Sequence, residues 1–130
     1  MNPVNTLTLQ EARDHLARRA CGKASKKKGD AWESEVIAKA KASGWLVHHV
    51  RPARTAQGWR SPISGHKGFP DLVLAHTHHG VLFVELKSGK DASLSPEQRL
   101  WHETLEMDLL DVKVWRPEAR AEIYRTLEGR

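Results

Sequence analysis

Two apolar runs separated by three polar residues constrain the fold of this chain more than any other feature of its sequence. Residues 70–76 read PDLVLAH and residues 80–87 read GVLFVELK. Both runs are rich in the aliphatic and aromatic residues that fill a buried sheet. Because only the residues THH separate them, the sequence predicts two antiparallel strands joined by a tight hairpin turn that ends at Gly80.

Charged residues interrupt the second of these runs. Glu85 and Lys87 are two positions apart, so their side chains point to the same face of the strand. Even a half-buried charge is costly unless it is paired or binds a metal. In the predicted hairpin Asp71 lies level with Glu85 and Leu86 on the neighbouring strand, and two carboxylates at that distance repel each other. Stability alone therefore gives no reason to place the two acids together.

A divalent cation would turn this repulsion into attraction. Mg²⁺ prefers oxygen ligands at about 2.1 Å and keeps several of its waters. Asp71, Glu85 and the backbone carbonyl of Leu86 could provide half of such a shell. Lys87 is placed to orient a metal-bound water, or to offset charge that develops on an attacked phosphate. A self-neutralising pair of Glu85 and Lys87 at a sheet edge is the structural alternative, and it leaves Asp71 unexplained.

Helical and extended segments surround the hairpin. Thr8 and Glu11 have the spacing of a capping box, Asp30 is a predicted N-cap, and Pro117 opens the last predicted helix. The predicted helices occupy residues 8–20, 30–44, 95–110 and 117–129, and the predicted strands occupy residues 45–50, 70–76, 80–87 and 111–117. The order α-α-β-β-β-α-β-α predicts an α/β protein with a mixed central sheet flanked by helices.

Charge is distributed unevenly along the 130 residues, which are enough for one compact domain. The net charge is +5, yet residues 1–70 carry 13 Lys/Arg against 5 Asp/Glu while residues 71–130 carry 8 against 11. A basic half of this kind indicates a surface for a polyanion. Residues 51–69 form a long predicted loop, and loops of this length are unusual in a compact domain unless they have a function or are disordered. The candidate DNA-binding residues are Lys26, Lys27, Lys28, Arg51, Arg54, Arg60, His66 and Lys67.

Composition excludes several classes of protein. Cys21 is the single cysteine, so an internal disulfide is impossible, and no apolar run approaches the roughly 20 residues that span a bilayer. The N-terminus lacks the apolar segment of a signal peptide, so we expect an intracellular, cytoplasmic protein and no membrane partner. The histidines at positions 76, 78 and 79 crowd one turn without a cysteine pair, which argues against a zinc site.

The acidic hairpin resembles the signature of a known nuclease superfamily. The residues GFPD followed by VELK are similar to the PD-(D/E)XK motif. Glu33 on an early helix, Gly68 before the PD pair, and Gln98 within LSPEQRLW together resemble the VRR-NUC branch. The resemblance covers residues 29–116 and implies a restriction-endonuclease-like fold. It divides the chain into an N-terminal helix and basic arm, residues 1–28, and a nuclease domain, residues 29–130.

The resemblance also implies roles for individual residues. Asp71, Glu85 and the carbonyl of Leu86 would bind Mg²⁺, for which Mn²⁺ can substitute, and Lys87 would act on the nucleophilic water. Glu33 would hold the metal directly or through water. In the family a glutamine on the next helix reaches toward the site, and Gln98 occupies that position here. The implied catalytic set is Asp71, Glu85, Lys87, Glu33 and Gln98.

Two members of this set have competing interpretations. Glu33 lies on the apolar stripe of its helix and Glu35 is predicted at the surface, but an error of one residue in helix phase exchanges them. Gln98 also completes a capping box with Ser95, a structural role that does not exclude a role in catalysis. The residues predicted to pack in the core nearby are Trp101, Leu105 and Trp115.

The function that the resemblance implies is a Mg²⁺-dependent DNA endonuclease. Single-domain members of the branch, common in phages and bacteria, resemble Holliday-junction resolvases of recombination and repair, so branched DNA and a twofold homodimer are expected. The alternative is a nucleic-acid-binding module that keeps the fold without catalysis. A third interpretation is a structural protein whose basic half contacts another acidic partner.

Overall fold

A computed structural model describes residues 8–11, 28–50, 53–60, 63–89 and 91–129 of the chain. The helices are α1 (Lys28–Ala42), α2 (Pro96–Met107) and α3 (Arg120–Leu127), with a 3₁₀ turn at Pro117–Ala119. The strands are β1 (Leu46–His49), β2 (Ala53–Thr55), β3 (Gly58–Arg60), β4 (Leu72–His76), β5 (Gly80–Leu86) and β6 (Asp111–Trp115).

Four strands form one mixed sheet in the order β1-β4-β5-β6. The pairs β1-β4 and β4-β5 are antiparallel, whereas β5 and β6 are parallel because α2 carries the chain back across the sheet between them. Helices lie on both sides, so the predicted α/β class with a mixed sheet is confirmed. Within the described ranges, none of the helices has both the length and the apolar character required to cross a membrane.

One face of the sheet carries the hydrophobic core. Alternate strand residues such as Leu72, Leu74 and Val84 point toward α1 and α3, because side chains two apart on a strand share a face. The buried cluster comprises Trp32, Val36, Ala40, Trp45, Leu72, Leu74, Leu82, Val84, Trp115, Ile123 and Leu127. The prediction that Trp115 packs in the core is thus correct. Glu85, next to Val84, must point to the opposite face, where α2 lies.

Two buried indole groups join α1 and the start of β1 to the C-terminal part of the chain. The Nε1 of Trp32 donates a hydrogen bond to the carbonyl of Trp115 at 3.2 Å, and the Nε1 of Trp45 donates to the carbonyl of Leu127 at 2.8 Å. Burying an indole N–H without a partner is costly. These bonds therefore place α1 and β1 against β6 and α3 in one defined arrangement.

The central hairpin has nearly the predicted register. Leu72 pairs with Val84 and His76 pairs with Gly80, so the turn contains three residues and Gly80 belongs to β5 rather than to the turn. Its φ of 79° lies in the left-handed region that favours glycine, where the chain leaves the turn. Continued by one residue, this register sets Asp71 opposite Glu85, which is where the sequence predicts it.

The prediction of one long loop at residues 51–69 is wrong, because residues 53–60 form a second hairpin. Strands β2 and β3 pair with Thr55 opposite Gly58, leaving the two-residue turn Ala56-Gln57. Neither residue is one of the Asn, Asp or Gly residues that usually mark such a turn. Strands of three residues are also too short to show a period of two. Local pattern therefore carried no signal for this hairpin.

Helix boundaries differ from the predicted ones at the N-terminal side. Helix α1 begins at Lys28, so Asp30 lies inside its first turn and is not the N-cap. The capping box at the chain start is present, since the backbone N–H of Thr8 donates to Glu11 Oε2 at 2.8 Å and that of Glu11 donates to Thr8 Oγ1 at 3.1 Å. Residues 9–11 are helical. The rest of the predicted first helix and the basic linker before α1 lie outside the described residues.

Burial along α2 differs from the prediction. Trp101 and Leu105 are only half-buried, and the residue of this helix that is buried is His102. Sequence analysis placed the two apolar side chains in the core because apolar stripes usually face inward. In the folded protein Trp101 and Leu105 share a face of α2 with Gln98 and His102. On that face the two polar side chains approach Glu85.

Candidate active site

The end of the central hairpin brings two acids together. Asp71 immediately precedes β4, and its Oδ2 accepts a hydrogen bond from the backbone N–H of Leu86 at 2.8 Å. Glu85, one residue earlier in β5, is 2% exposed. The side chain of Asp71 thus bridges to the strand that carries Glu85, and this bond fixes the aspartate at the hairpin end.

Burial and the neighbouring acid disfavour the charged form of Glu85. The pKa of Glu85 is raised to about 8, first by burial and then by the neighbouring carboxylate of Asp71. The ammonium of Lys87, whose Nζ lies 3.8 Å from Glu85 Oε1, partly offsets the shift. The pair of acids therefore retains a proton near neutral pH unless another cation neutralises it.

Gln98 connects the glutamate, the lysine and the start of α2. Its Oε1 accepts hydrogen bonds from Lys87 Nζ at 3.0 Å and from the backbone N–H of Ser95 at 2.9 Å. Its Nε2 donates to Glu85 Oε1 at 2.9 Å. The Ser95 Oγ accepts from the backbone N–H of Gln98 at 3.2 Å, which completes the capping box. The helix cap and the contacts with Glu85 and Lys87 therefore coexist in one side chain.

His102 also faces Glu85, and sequence analysis missed it. Its side chain is buried, and its Nε2 lies 4.0 Å from Glu85 Oε2. Neither of these atoms has a hydrogen-bond partner among the described residues, and burial lowers the pKa of His102. The available signal was spacing, because a residue four positions after Gln98 lies on the same helical face.

The two competing acids of α1 lie in different surroundings. Glu33 Oε1 is 3.1 Å from His49 Nε2, and both residues line a cavity that also reaches Asp71. Glu35 instead accepts hydrogen bonds from Arg120 and from the hydroxyl of Tyr124 on α3, and the Arg120 contact lowers the pKa of Glu35. Geometry therefore associates Glu33 with the acidic hairpin and Glu35 with the packing of α1 against α3.

The cavity beside Asp71 has a volume of about 600 Å³. It is lined by Glu33 of α1, by His49 of β1, by most of the segment of residues 63–71 and by Trp101 of α2. Among the predicted DNA-binding residues, His66 lines this cavity, and the neighbouring Lys67 is exposed on the same segment. The cavity thus adjoins Asp71, whereas Glu85 is buried and does not line it.

The remaining predicted DNA-binding residues are only partly described. Lys28 begins α1, Arg54 lies in β2 and Arg60 ends β3, but the positions of their side chains are not described. Lys26, Lys27 and Arg51 lie outside the described residues.

The donor set at the hairpin end fits a hard divalent cation. Asp71 and Glu85 offer carboxylate oxygens, and the buried Oε2 of Glu85 has no hydrogen-bond partner in the described part of the chain. Oxygen ligands of this kind are those that Mg²⁺ and Mn²⁺ prefer. No three Asp, Glu, His or Cys side chains of the described ranges form a metal-binding group. The structure therefore brings Asp71 and Glu85 together and leaves Glu33 outside a three-ligand group.

The central hairpin of the mixed sheet gathers two acids and a lysine against a glutamine of the next helix. The family model of the VRR-NUC domain matches residues 39–119, so the chain belongs to that family and has a nuclease-type fold. The match includes Asp71, Glu85, Lys87 and Gln98, whereas Glu33 precedes it. The recognition of the VRR-NUC branch from the hairpin motif is thereby confirmed.

Solved structures agree with this assignment. A structure described as a VRR_NUC domain is 21% identical, with a TM-score of 0.60, and the alignment covers 75% of this chain and 92% of that one. A second, described as a VRR_NUC domain protein, is 19% identical with a TM-score of 0.51, covering 72% and 80%. At these identities the likeness shows the fold. No curated protein matches the chain.

Proposed function

We propose that the protein is a metal-dependent endonuclease that hydrolyses phosphodiester bonds of DNA. The observation that carries the proposal is the contact set around Gln98, whose Oε1 accepts from Lys87 and whose Nε2 donates to Glu85. A helix cap alone requires only the contacts between Gln98 and Ser95. The additional contacts position a cation and a carboxylate beside Asp71, an arrangement that repulsion would otherwise disfavour.

The residues divide the work of hydrolysis among them. Asp71, Glu85 and the Leu86 carbonyl would hold Mg²⁺ or Mn²⁺, which supplies Lewis-acid chemistry and lowers the pKa of a bound water. Gln98 holds the carboxylate of Glu85 and the ammonium of Lys87 in fixed positions relative to each other. Lys87 then orients the attacking water through its N–H groups and offsets the negative charge that develops on the phosphate.

Glu33 has a supporting role in this proposal. It lines the cavity next to Asp71 and lies 3.1 Å from His49, so it can act on the metal through a water and not as a member of the carboxylate pair.

Branched DNA is the proposed substrate, and a homodimer is the proposed state. Both proposals rest on similarity to single-domain members of the branch, since a twofold dimer can cut two strands of like polarity at a junction. The basic half of the chain, with 13 Lys/Arg against 5 Asp/Glu in residues 1–70, would bind the phosphates of the arms.

The direct test compares labelled four-way junctions, flaps, nicked duplexes and linear duplexes in Mg²⁺, Mn²⁺ or EDTA. We expect cleavage that requires the metal and favours the branched substrates. Lys87→Ala should abolish cleavage while retaining binding in native gels, because binding depends on the basic residues. The matched control is Lys113→Ala, which removes an exposed lysine of β6 that interacts with Asp111.

Metal binding and assembly are measured separately from cleavage. Isothermal titration with Mn²⁺ should give binding to the wild-type protein that Asp71→Asn weakens at least about tenfold, since one of two charged ligands is lost. Sedimentation with and without junction DNA reports the dimer. A junction that is bound but left whole in both metals would contradict the proposal and identify a non-catalytic binding module.

A further inference from the structure

The cavity next to Asp71 has an apolar lining, which the hydrolysis of a phosphate does not require. Phe69, Ile63 and Val50 line it with apolar surface, although Phe69 is 39% and Ile63 51% exposed. Exposed apolar side chains are ordinarily scattered over a protein surface. Here they surround one hollow of about 600 Å³, a volume within the range of small-ligand sites.

Aromatic rings form a corner of this cavity. The rings of Phe69 and Trp101 meet edge to face at 88°, with centroids 5.0 Å apart, and Phe69 also meets Phe83 at 87° and 6.0 Å. Phe83 therefore supports Phe69 from the sheet, and Phe69 keeps part of its ring exposed to the hollow. Aromatic surface held in this way is a platform on which a flat heterocycle can stack.

The wall is held in place by contacts with α2. The Nε1 of Trp101 donates a hydrogen bond to the carbonyl of Lys67 at 2.9 Å. Gly68 lies so close to the helix that a Cβ at this position would be 2.5 Å from the backbone carbon of Glu97. The segment that carries Phe69 is thereby fixed against the helix that carries Gln98. This part of the wall is therefore in place without a ligand.

The charges around the cavity complement a nucleotide. Asp71 connects the hollow to the proposed metal-binding pair, where the cleaved phosphate would lie. His66 also lines the hollow, and the next residue, Lys67, is exposed, so a cation is available for the next phosphate of the strand. A nucleotide attached to the cleaved phosphate would find apolar and aromatic surface within reach of its base.

We propose that this cavity binds one unstacked nucleobase adjacent to the cleaved phosphodiester. The inference rests on the proposed nuclease function and names the feature that selects its substrate. A base can leave the stack at low cost at a branch point, a mismatch or a single-stranded end, and at higher cost inside a paired duplex. The enzyme therefore favours branched DNA because one base must enter the cavity before the phosphate reaches Asp71.

The test removes one base at a time from the substrate. A four-way junction carries a single tetrahydrofuran residue, which keeps the sugar and phosphate, at each position flanking the cut. Binding in Ca²⁺ and cleavage in Mg²⁺ are measured for the full chain. At one flanking position we expect a loss of about 5- to 150-fold, which corresponds to about 1–3 kcal/mol for one base stacked on an aromatic side chain.

Two variants connect that loss to the cavity. In Phe69→Ala the loss caused by the missing base should shrink to less than about twofold, because the stacking surface is gone. Ile63→Asp changes a side chain that is 51% exposed, so it preserves the fold even if Phe69→Ala does not, and it should have the same effect. Leu100→Ala is the matched control on α2, since Leu100 is 63% exposed and does not line the cavity.

A fluorescent base provides an independent measurement. With 2-aminopurine at the sensitive position, binding to the wild-type protein should change the emission, and Ile63→Asp should remove the change. The inference is overturned if no missing base weakens binding or cleavage, or if the loss persists in both variants. Equal cleavage of all these substrates would support the nuclease proposal and contradict base binding in the cavity. Base-dependent binding without any cleavage would support base binding and contradict the nuclease proposal.

Discussion

At the scale of single residues, the side chain of Gln98 both caps a helix and contacts the candidate active-site residues. It caps α2 with Ser95 and also contacts Lys87 and Glu85. The sequence predicted both the cap and the location near the acids, since the SPEQ pattern is a capping box and the preceding strand carries VELK. His102 was missed, because a lone histidine on a helix is seldom distinguishable from a polar surface residue.

The two roles of Gln98 can be separated by mutation. Ser95→Ala removes one half of the cap and should lower the free energy of unfolding by about 1 kcal/mol, with cleavage by the folded protein retained. Gln98→Ala should lower it further, because it also leaves buried polar groups unsatisfied at about 1–3 kcal/mol, and should reduce cleavage at least tenfold. Urea denaturation and cleavage rates measure the two effects. Equal cleavage by the two variants would show that Gln98 acts only as a helix cap.

The ionisation of Glu85 predicts how stability depends on pH when metal is absent. The folded protein holds this proton up to about pH 8, whereas the unfolded chain releases it near 4.5. Because the folded state binds more protons over this interval, the free energy of unfolding should fall as pH rises from about 4.5 to about 8. Glu85→Gln, studied in EDTA, should show a smaller fall. Denaturation curves that are parallel for both proteins across this range would contradict the assignment.

At the scale of elements, the segment before β4 depends on its close approach to α2. Gly68 has a φ of 97°, and a Cβ there would meet the backbone of Glu97 and Gln98 at 2.5–2.7 Å. Sequence analysis recognised Gly68 only as part of the family pattern. The physical reason for the glycine became evident from the contact between two segments that are about thirty residues apart in the chain. Local pattern cannot report such a contact.

A pair of glycine variants measures this contact. Gly65→Ala also falls at a positive φ, of 106°, but its Cβ would meet no described atom within 4 Å, so it should cost on the order of 1–2 kcal/mol from backbone strain alone. Gly68→Ala adds a backbone clash and should cost clearly more, with cleavage reduced because Asp71 moves with the segment. Thermal melting and cleavage rates test this. Similar melting temperatures for the two variants would show that the clash is relieved.

At the scale of the whole molecule, the core and the site occupy opposite faces of one sheet. Leu127 of α3 is fully buried against the face that packs on α1, whereas Glu85 points toward α2. The two faces belong to the same strands, but successive side chains point to opposite faces. Changes in the core should therefore alter stability more than chemistry.

Leu127→Ala provides the test of this separation. We expect the free energy of unfolding to fall by about 2–5 kcal/mol, as for other fully buried leucines, while the folded fraction cleaves at the wild-type rate. Met107→Ala, at a side chain that is 84% exposed, should change stability by less than about 0.5 kcal/mol. Both quantities come from denaturation curves and from cleavage measured below the transition. A large loss of cleavage in folded Leu127→Ala would show that the faces are coupled.

The sequence by itself determined the mixed sheet, the central hairpin and the meeting of Asp71 with Glu85, because apolar alternation and a short turn act between neighbouring residues. It also determined the cap at Ser95, for the same reason. Only the tertiary structure decided that His102 faces Glu85, that Glu33 and not Glu35 lines the cavity next to Asp71, and that residues 53–60 form a second hairpin. It likewise decided that Phe69 and Trp101 line that cavity together. These features depend on how a helix is rotated against a sheet and how closely distant segments approach, and no local pattern encodes either quantity.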